Sequence, residues 1–303
     1  MTHVATLVCD PAARALDADA VRRAAALLPD SGPVDWLDAG VAADIPFSPA
    51  APLDAAALAA ALRDEIADAE ADVVVQPAAN RRKRLLVADM DSTIIEQECI
   101  DELADMAGLK PRVAAITERA MRGEIQFEPA LRERVALLKG LPLSVIEEVI
   151  RTRIAVTPGA KTLVRTMRAN GAYCALVSGG FTAFTKGVAA DVGFDEDRAN
   201  TLLTEGETLA DSTLAGRVAE PILGRDAKLA ALRELRDVRE LRAWQTMAVG
   251  DGANDLAMLE EAGLGVAFRA KPAVAEAAHA RVDHADLTAL LYIQGYRRSA
   301  FVE

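Results

Sequence analysis

The sequence predicts an α/β protein: a doubly wound parallel sheet with a helical layer inserted into it, preceded by a small α+β module. Three observations carry this expectation. From residue 85 onward, short unbroken apolar runs alternate with amphipathic helices, as in strands buried on both faces of a parallel sheet. Between the first two runs lie about sixty residues of helical periodicity, too long and too patterned for a loop. Residues 1–80 instead order their apolar segments as strand, helix, strand, strand, helix, strand.

In the first segment Val4 to Cys9 reads as a strand and the alanine-rich Ala20 to Leu28 as a helix. Val34 to Leu37 and Val41 to Phe47 pair as strands, Asp54 caps a helix running to about Ala69 after Pro52, and Ala71 to Val75 closes the pattern. This βαββαβ order is that of a ferredoxin-like sandwich, a class that includes the ACT-type domains. Arg81, Arg82, Lys83 and Arg84 then read as a solvated linker. The buried strands are Leu85 to Ala88, Ala172 to Val177, Thr246 to Val249 and Leu264 to Phe268. Thr157-Pro158 supplies an N-cap and a first-turn proline for a crossover helix, Ala160 to Ala169, that Asn170-Gly171 stops; a second helix runs Asn254 to Ala262. The inserted helices are Glu98 to Ala107, Val113 to Met121, Phe127 to Leu138 and Ser144 to Ile150, and Thr201 to Val218, broken at Glu205-Gly206-Glu207, suggests a hairpin. The expected domains are 1–80, then a core of 81–96 and 157–303, with 97–156 as a cap.

Composition narrows the function classes. The 303 residues carry 46 acidic against 34 basic side chains, a net charge of -12, which disfavours nucleic acid as a partner. No apolar run reaches the roughly 18 residues of a spanning helix, so no membrane partner is expected, and no Lys or Arg precedes Arg14 to start a signal peptide. Cys9, Cys99 and Cys174 are odd in number and widely spaced, which fits a reducing cytoplasm rather than a disulfide framework. With His3, His279 and His284 the only histidines, zinc is improbable and metal chemistry would rest on carboxylates, which prefer magnesium. An exposed sheet edge in the N-terminal module makes a homodimer one expectation for it; amino-acid sensing is another.

The chemistry gathers at strand ends. Leu85 to Ala88 runs into Asp89-Met90-Asp91-Ser92-Thr93, Ala172 to Val177 into Ser178-Gly179-Gly180, and Thr246 to Val249 into Gly250-Asp251-Gly252-Ala253-Asn254-Asp255. Ligands of open α/β sheets bind beyond the carboxyl ends of the strands, so these segments converge. Four aspartates meeting there repel one another unless a cation intervenes, and an all-oxygen donor set suits magnesium sharing a phosphate. If strand geometry persists, Asp89 and Asp91 face the site together while Met90 turns to the core. Two such carboxylates can divide the roles of nucleophile and general acid/base. An isolated Asp-x-Asp is more often a turn; the two other strand ends lift it above that reading.

In order, Asp89 to Thr93, Ser178 to Gly180, Lys228, and Gly250 to Asp255 resemble the four motifs of the haloacid dehalogenase superfamily of phosphatases, whose core is a Rossmann-like parallel sheet. Glu98 within Glu96 to Glu102, the stretch Ala120 to Glu124, and Phe127 with Leu131 to Val135 resemble the helical cap of its phosphoserine phosphatases. The resemblance covers about residues 85 to 290. It implies a magnesium-dependent phosphomonoesterase acting on a small substrate, O-phospho-L-serine, as the last step of serine biosynthesis. Asp89 is then the nucleophile that forms an aspartyl-phosphate, and Asp91 the acid and base. Magnesium falls to Asp89, the Asp91 carbonyl and Asp251, with Asp255 in support. Ser178, the Gly179 amide and Lys228 hold the phosphoryl oxygens, with Asn254 among the substrate-side residues. Arg134 clamps the substrate carboxylate, Glu98 meets its ammonium, and Phe127 and Met121 form an apolar wall. Two other readings share these motifs: transfer of the phosphoryl group to an alcohol such as homoserine, and a non-catalytic phospho-accepting signalling domain.

Overall fold

Alternation of small and branched residues builds the first layer. The computed structural model describes residues 1–49, 52–121, 124–206, 208 and 211–303; Arg122, Gly123, Glu207 and the side chain of Met121 lie outside the described residues. Strands β1 (His3–Cys9), β2 (Asp35–Asp38), β3 (Ala42–Phe47) and β4 (Ala71–Pro77) form an antiparallel sheet in the order β2-β3-β1-β4, with helices α1 (Ala18–Ala26) and α2 (Ala55–Glu65) between them in sequence. Asp17 and Asp54 cap these helices by accepting the amides of Ala20 at 2.7 Å and Ala57 at 3.0 Å. The period of two then sorts the side chains. Leu7, Ile45, Phe47, Val73 and Val75 pack against α1 and α2, whereas Val8, Ala42 and Val74 join the core of the second body.

The second body holds six parallel strands in the order β12-β11-β10-β5-β6-β7. From β5 (Leu85–Ala88) the chain passes through α3 (Cys99–Met106), α4 (Lys110–Met121), α5 (Phe127–Leu137) and α6 (Ser144–Thr152). It re-enters through α7 (Ala160–Ala169), β6 (Tyr173–Phe181), α8 (Thr182–Val192) and β7 (Glu196–Asn200). A hairpin of β8 (Leu202–Glu205) and β9 (Thr213–Val218) follows, then α9 (Arg225–Val238), β10 (Thr246–Gly250), α10 (Leu256–Glu261), β11 (Leu264–Phe268), α11 (Pro272–Ala277), β12 (Ala280–Val282) and α12 (Ala289–Ile293). The hairpin bonds to the inserted helices through Gly140 N–H to Leu214 O at 2.8 Å and Leu143 N–H to Ser212 O at 3.1 Å. Insertion and core also meet where Ile95 bridges Val156 and the Thr157 amide donates to Ile94 O at 2.9 Å.

Two expectations are corrected. The cap of α7 is Gly159, not Thr157: its φ of 82° lies in the left-handed region, and an added Cβ would stand 2.6 Å from the Thr288 amide nitrogen. The basic run is not simply a solvated linker. Arg81 reaches the open face of the first sheet, pairing with Asp44 at 2.6 Å and donating to the carbonyls of Tyr292 and Ile293, and Lys83 is 7% exposed. Asp72 of β4 accepts the amides of Asp283, His284 and Ala285, so two buried charged groups join the layers.

Candidate active site

Four apolar residues bury β5, and Asp89 is where that strand stops. Its amide still donates to Val249 O of β10 at 3.0 Å, and its carboxylate accepts the Met90 amide at 2.8 Å. Met90 turns fully into the core, while Asp91 (φ -65°, ψ 138°) keeps an extended backbone before Ser92 (φ 54°) ends the run. Asp91 accepts the Cys99 amide at 3.4 Å, and its Oδ2 lies 2.9 Å from where a Cβ on Gly180 would stand, so only glycine leaves room between it and Ser178. From β6, Ser178 is buried with its hydroxyl accepting the Gly180 amide at 2.9 Å.

Lys228 enters from α9 with no exposed surface. Its ammonium lies 2.7 Å from Asp89 and 2.6 Å from Asp255, which also accepts the Gly252 amide at 3.1 Å. Burial works against the Lys228 charge, but Asp255 and Asp89 overcome it and hold the ammonium above the usual lysine range. Burial, then the Asp89 charge, raises the Asp255 carboxyl. Asp251 receives the Thr93 hydroxyl at 3.5 Å, and burial with the charges of Asp89 and Glu98 pushes it up to about 7. Among the described residues, one oxygen each of Asp89, Asp251 and Asp255 lies within 4.8 Å of the others. This all-oxygen, carboxylate-rich donor set fits a hard divalent cation and offers nothing to a soft one.

The inserted helices close the other side. Phe127, at the start of α5, lies over Gly179, 3.2 Å from where a Cβ would stand, and equally close over Gly224. Glu98 accepts the Ser92 hydroxyl at 2.8 Å; burial and the charges of Asp89 and Asp101 raise its pKa. The Arg134 guanidinium donates to Thr117 Oγ1 at 3.4 Å and Ala130 O at 3.3 Å, and among the described residues no carboxylate oxygen lies within 4 Å of it. Burial lowers its pKa, while the charges of Asp101, Glu98 and Asp91 oppose that, so it shares their cleft. Asp91 is raised well above the carboxylate range by burial and by Glu98 and Asp89. Asn254 lies two residues after Gly252, its side-chain oxygen filling the space where a Cβ on that glycine would stand. The Met121 side chain lies outside the described residues.

Two residues escaped the sequence reading. Asn200, buried at the end of β7, donates to Gly179 O at 2.8 Å and Leu223 O at 3.1 Å and accepts the Leu223 amide at 2.7 Å. It ties the Ser178 loop to the segment leading to Lys228, and no pattern announced it because Glu196 to Asn200 contains no apolar run. Lys271 bonds its amide to Asp251 O at 3.4 Å, and its charge lowers both Asp251 and Glu98. The signal was available, since Lys271 follows a fourth buried strand end.

A strand-end carboxylate pair, a buried lysine and a second carboxylate loop beneath an inserted helical layer define a capped α/β enzyme core. The family model of haloacid dehalogenase-like hydrolases matches residues 86–260, and the chain belongs to that family. It is 45% identical over 243 residues to the phosphoserine phosphatase of Streptomyces coelicolor, an alignment covering 80% of this chain and 58% of that one. The chain thus spans less than two thirds of that relative's length. A HAD family hydrolase of Salmonella enterica serovar Typhi superposes with a TM-score of 0.84 at 27% identity, covering 96% of this chain and 98% of its own. A substrate-bound phosphoserine phosphatase superposes with a TM-score of 0.64 at 37% identity, covering 70% of this chain and 98% of its own.

Proposed function

We propose that the chain is a magnesium-dependent phosphomonoesterase that hydrolyses O-phospho-L-serine to serine and phosphate, in the cytoplasm and at the end of serine biosynthesis. The observation that carries this reading is the pairing of two environments in one cleft. Asp89 is anchored against the Lys228 ammonium, and Arg134 faces the same space with no carboxylate partner among the described residues. A phosphate on one side and an α-carboxylate on the other match these charges. The names of the Streptomyces relative and of the substrate-bound structure support the choice of substrate.

The Asp89 carboxylate attacks phosphorus, forming an acyl phosphate as the P–O bond to serine breaks. Asp91, whose pKa is raised by burial and by the charges of Glu98 and Asp89, gives a proton to the departing serine oxygen. The same carboxylate then takes a proton from the water that hydrolyses the acyl phosphate, freeing Asp89. Ser178, the Gly179 amide and Lys228 hold the phosphoryl oxygens, Asn254 assists on the substrate side, and Lys228 supplies fixed positive charge. Asp89, the Asp91 carbonyl and Asp251 would hold the magnesium, with Asp255 supporting them. When bound, the ion neutralises phosphoryl charge. Glu98 receives the substrate ammonium, and Phe127 closes the apolar wall and excludes water.

For residues 1–80, the strand order β2-β3-β1-β4 with α1 and α2 on one face supports a ferredoxin-like, ACT-type sandwich. Because β4 meets β12 and residues 283–285, a homodimer through this module has the β2 edge to use. Three buried, unpaired cysteines support the cytoplasmic setting. Among the described residues no helix is long and apolar enough to cross a membrane. Phosphate release from a panel of phosphomonoesters, with magnesium and with EDTA, tests the proposal. The expected result is magnesium-dependent turnover with O-phospho-L-serine preferred; equal turnover of phosphoserine and simple alkyl phosphates would count against the assignment of Arg134 and Glu98.

A further inference from the structure

The cations Arg81 to Arg84 lie at the end of the parallel sheet opposite the carboxylate cluster, where β4 hands over to β5. Their surroundings differ. Arg81 is committed to Asp44. The Arg82 guanidinium lies 3.3 Å from the centre of the Tyr296 ring and donates to Gly295 O at 3.2 Å. The buried Lys83 ammonium meets the carbonyls of Trp244 at 2.8 Å and Asn80 at 3.4 Å. Arg84 is exposed. Among the described residues, no carboxylate oxygen lies within 4 Å of the Arg82, Lys83 or Arg84 charges, although the chain carries a net charge of -12.

Arg82 and Arg84 border a cavity of about 490 Å³ that Asn80, Trp244, Gln245 and Gly295 also wall, and among the described residues no acidic side chain lines it. A buried ammonium that meets carbonyl dipoles alone costs free energy, which a nearby anion offsets. Consistently, burial pushes Lys83 down to about 8. Two exposed guanidinium forks suit the oxygens of phosphate, and the half-exposed Trp244 indole supplies an apolar wall.

We propose that this cavity, at the junction of the N-terminal module and the parallel sheet, binds a small multivalent phosphate-type anion. Arg82 and Arg84 grip it, Trp244 flanks it, and Lys83 adds charge from behind. The site is separate from the carboxylate cluster and does not depend on the reaction assigned there.

Calorimetric titration of the full chain with pyrophosphate in EDTA tests this, since without a divalent cation the carboxylate cluster repels anions. The expected result is saturable binding at one site, weakened about tenfold or more in Arg82→Ala/Arg84→Ala and unchanged in Asp89→Asn. Circular dichroism reports whether the double variant folds, and Arg84→Ala alone, an exposed side chain, serves if it does not. Heat that does not saturate, equal affinity in the arginine variants, or loss of binding in Asp89→Asn would overturn the proposal. So would tighter binding of a single-stranded oligonucleotide than of pyrophosphate.

Discussion

Lys228 places one ammonium between two carboxylates, and that sets how Asp89 works. The ion pair at 2.7 Å holds the Asp89 carboxylate in place, and in the proposed mechanism that group is the nucleophile. Asp89→Asn is therefore expected to keep the fold and lower kcat by roughly 10⁴-fold or more; circular dichroism beside phosphate release checks both halves. Arg134→Ala removes the guanidinium that the proposed function assigns to the substrate carboxylate. It should cost about 10- to 100-fold in kcat/KM for O-phospho-L-serine while leaving slow hydrolysis of an aryl phosphate nearly unchanged. An equal loss on both substrates would make Arg134 structural. Asp251 sets a pH dependence. Its folded pKa of about 7 lies above the ordinary carboxylate value of 3.8, so below pH 7 it holds a proton and is a poor ligand. Magnesium affinity should rise as pH rises through 7, with proton release, in titrations at pH 6, 7 and 8. The sign for stability is opposite. The metal-free fold binds this proton more tightly than the unfolded chain, so this carboxyl's contribution is lost as pH rises from about 4 to 7.

Gly159 and Asn200 do at the level of elements what no motif announced. The left-handed Gly159 lets α7 start against residues 286–288, next to where the inserted helices rejoin the core. Gly159→Ala is expected to destabilise by about 2 to 4 kcal/mol, read from the denaturant midpoint. Asn200→Ala should slow turnover through the Ser178 loop, because the carbonyls of Gly179 and Leu223 would lose their shared donor. The strands that bury both faces were legible in place, β5 and β11 with no shift and β10 to within a residue, because an unbroken apolar run has few other uses; β6 runs on to Phe181, four residues past the expected Val177. β7 was not legible: Glu196, Asp197 and Arg198 make a charged edge strand held by its pairing with β6, with Arg198 paired to Glu196 and Glu234. The site was legible as three strand ends. Asn200 was hidden because its role depends on tertiary neighbours, which spacing along the chain does not encode, whereas Lys271 follows a fourth buried strand end.

At the scale of the whole molecule, the first sheet is clamped to the parallel body through Arg81, Asp44 and Asp72. Residues 81–84 read as a solvated linker because so acidic a chain disfavours a nucleic-acid patch; the partners of Arg81 lie far away in sequence. Arg81→Met should cost about 3 to 5 kcal/mol by stranding a buried Asp44, and Arg81→Met/Asp44→Leu should recover part of that loss in a double-mutant cycle. Excess acidity likewise misled only on the average. It argues against long polyanions, yet a few of those carboxylates gather where one cation and one phosphate can meet. The claim that Asp89 relays the phosphoryl group of phosphoserine is tested most directly by acid-quenching the enzyme during turnover of O-phospho-L-serine labelled at phosphorus and mapping the label. Label on the peptide carrying Asp89, absent from Asp89→Asn, is the expected result; label on any other residue would contradict it.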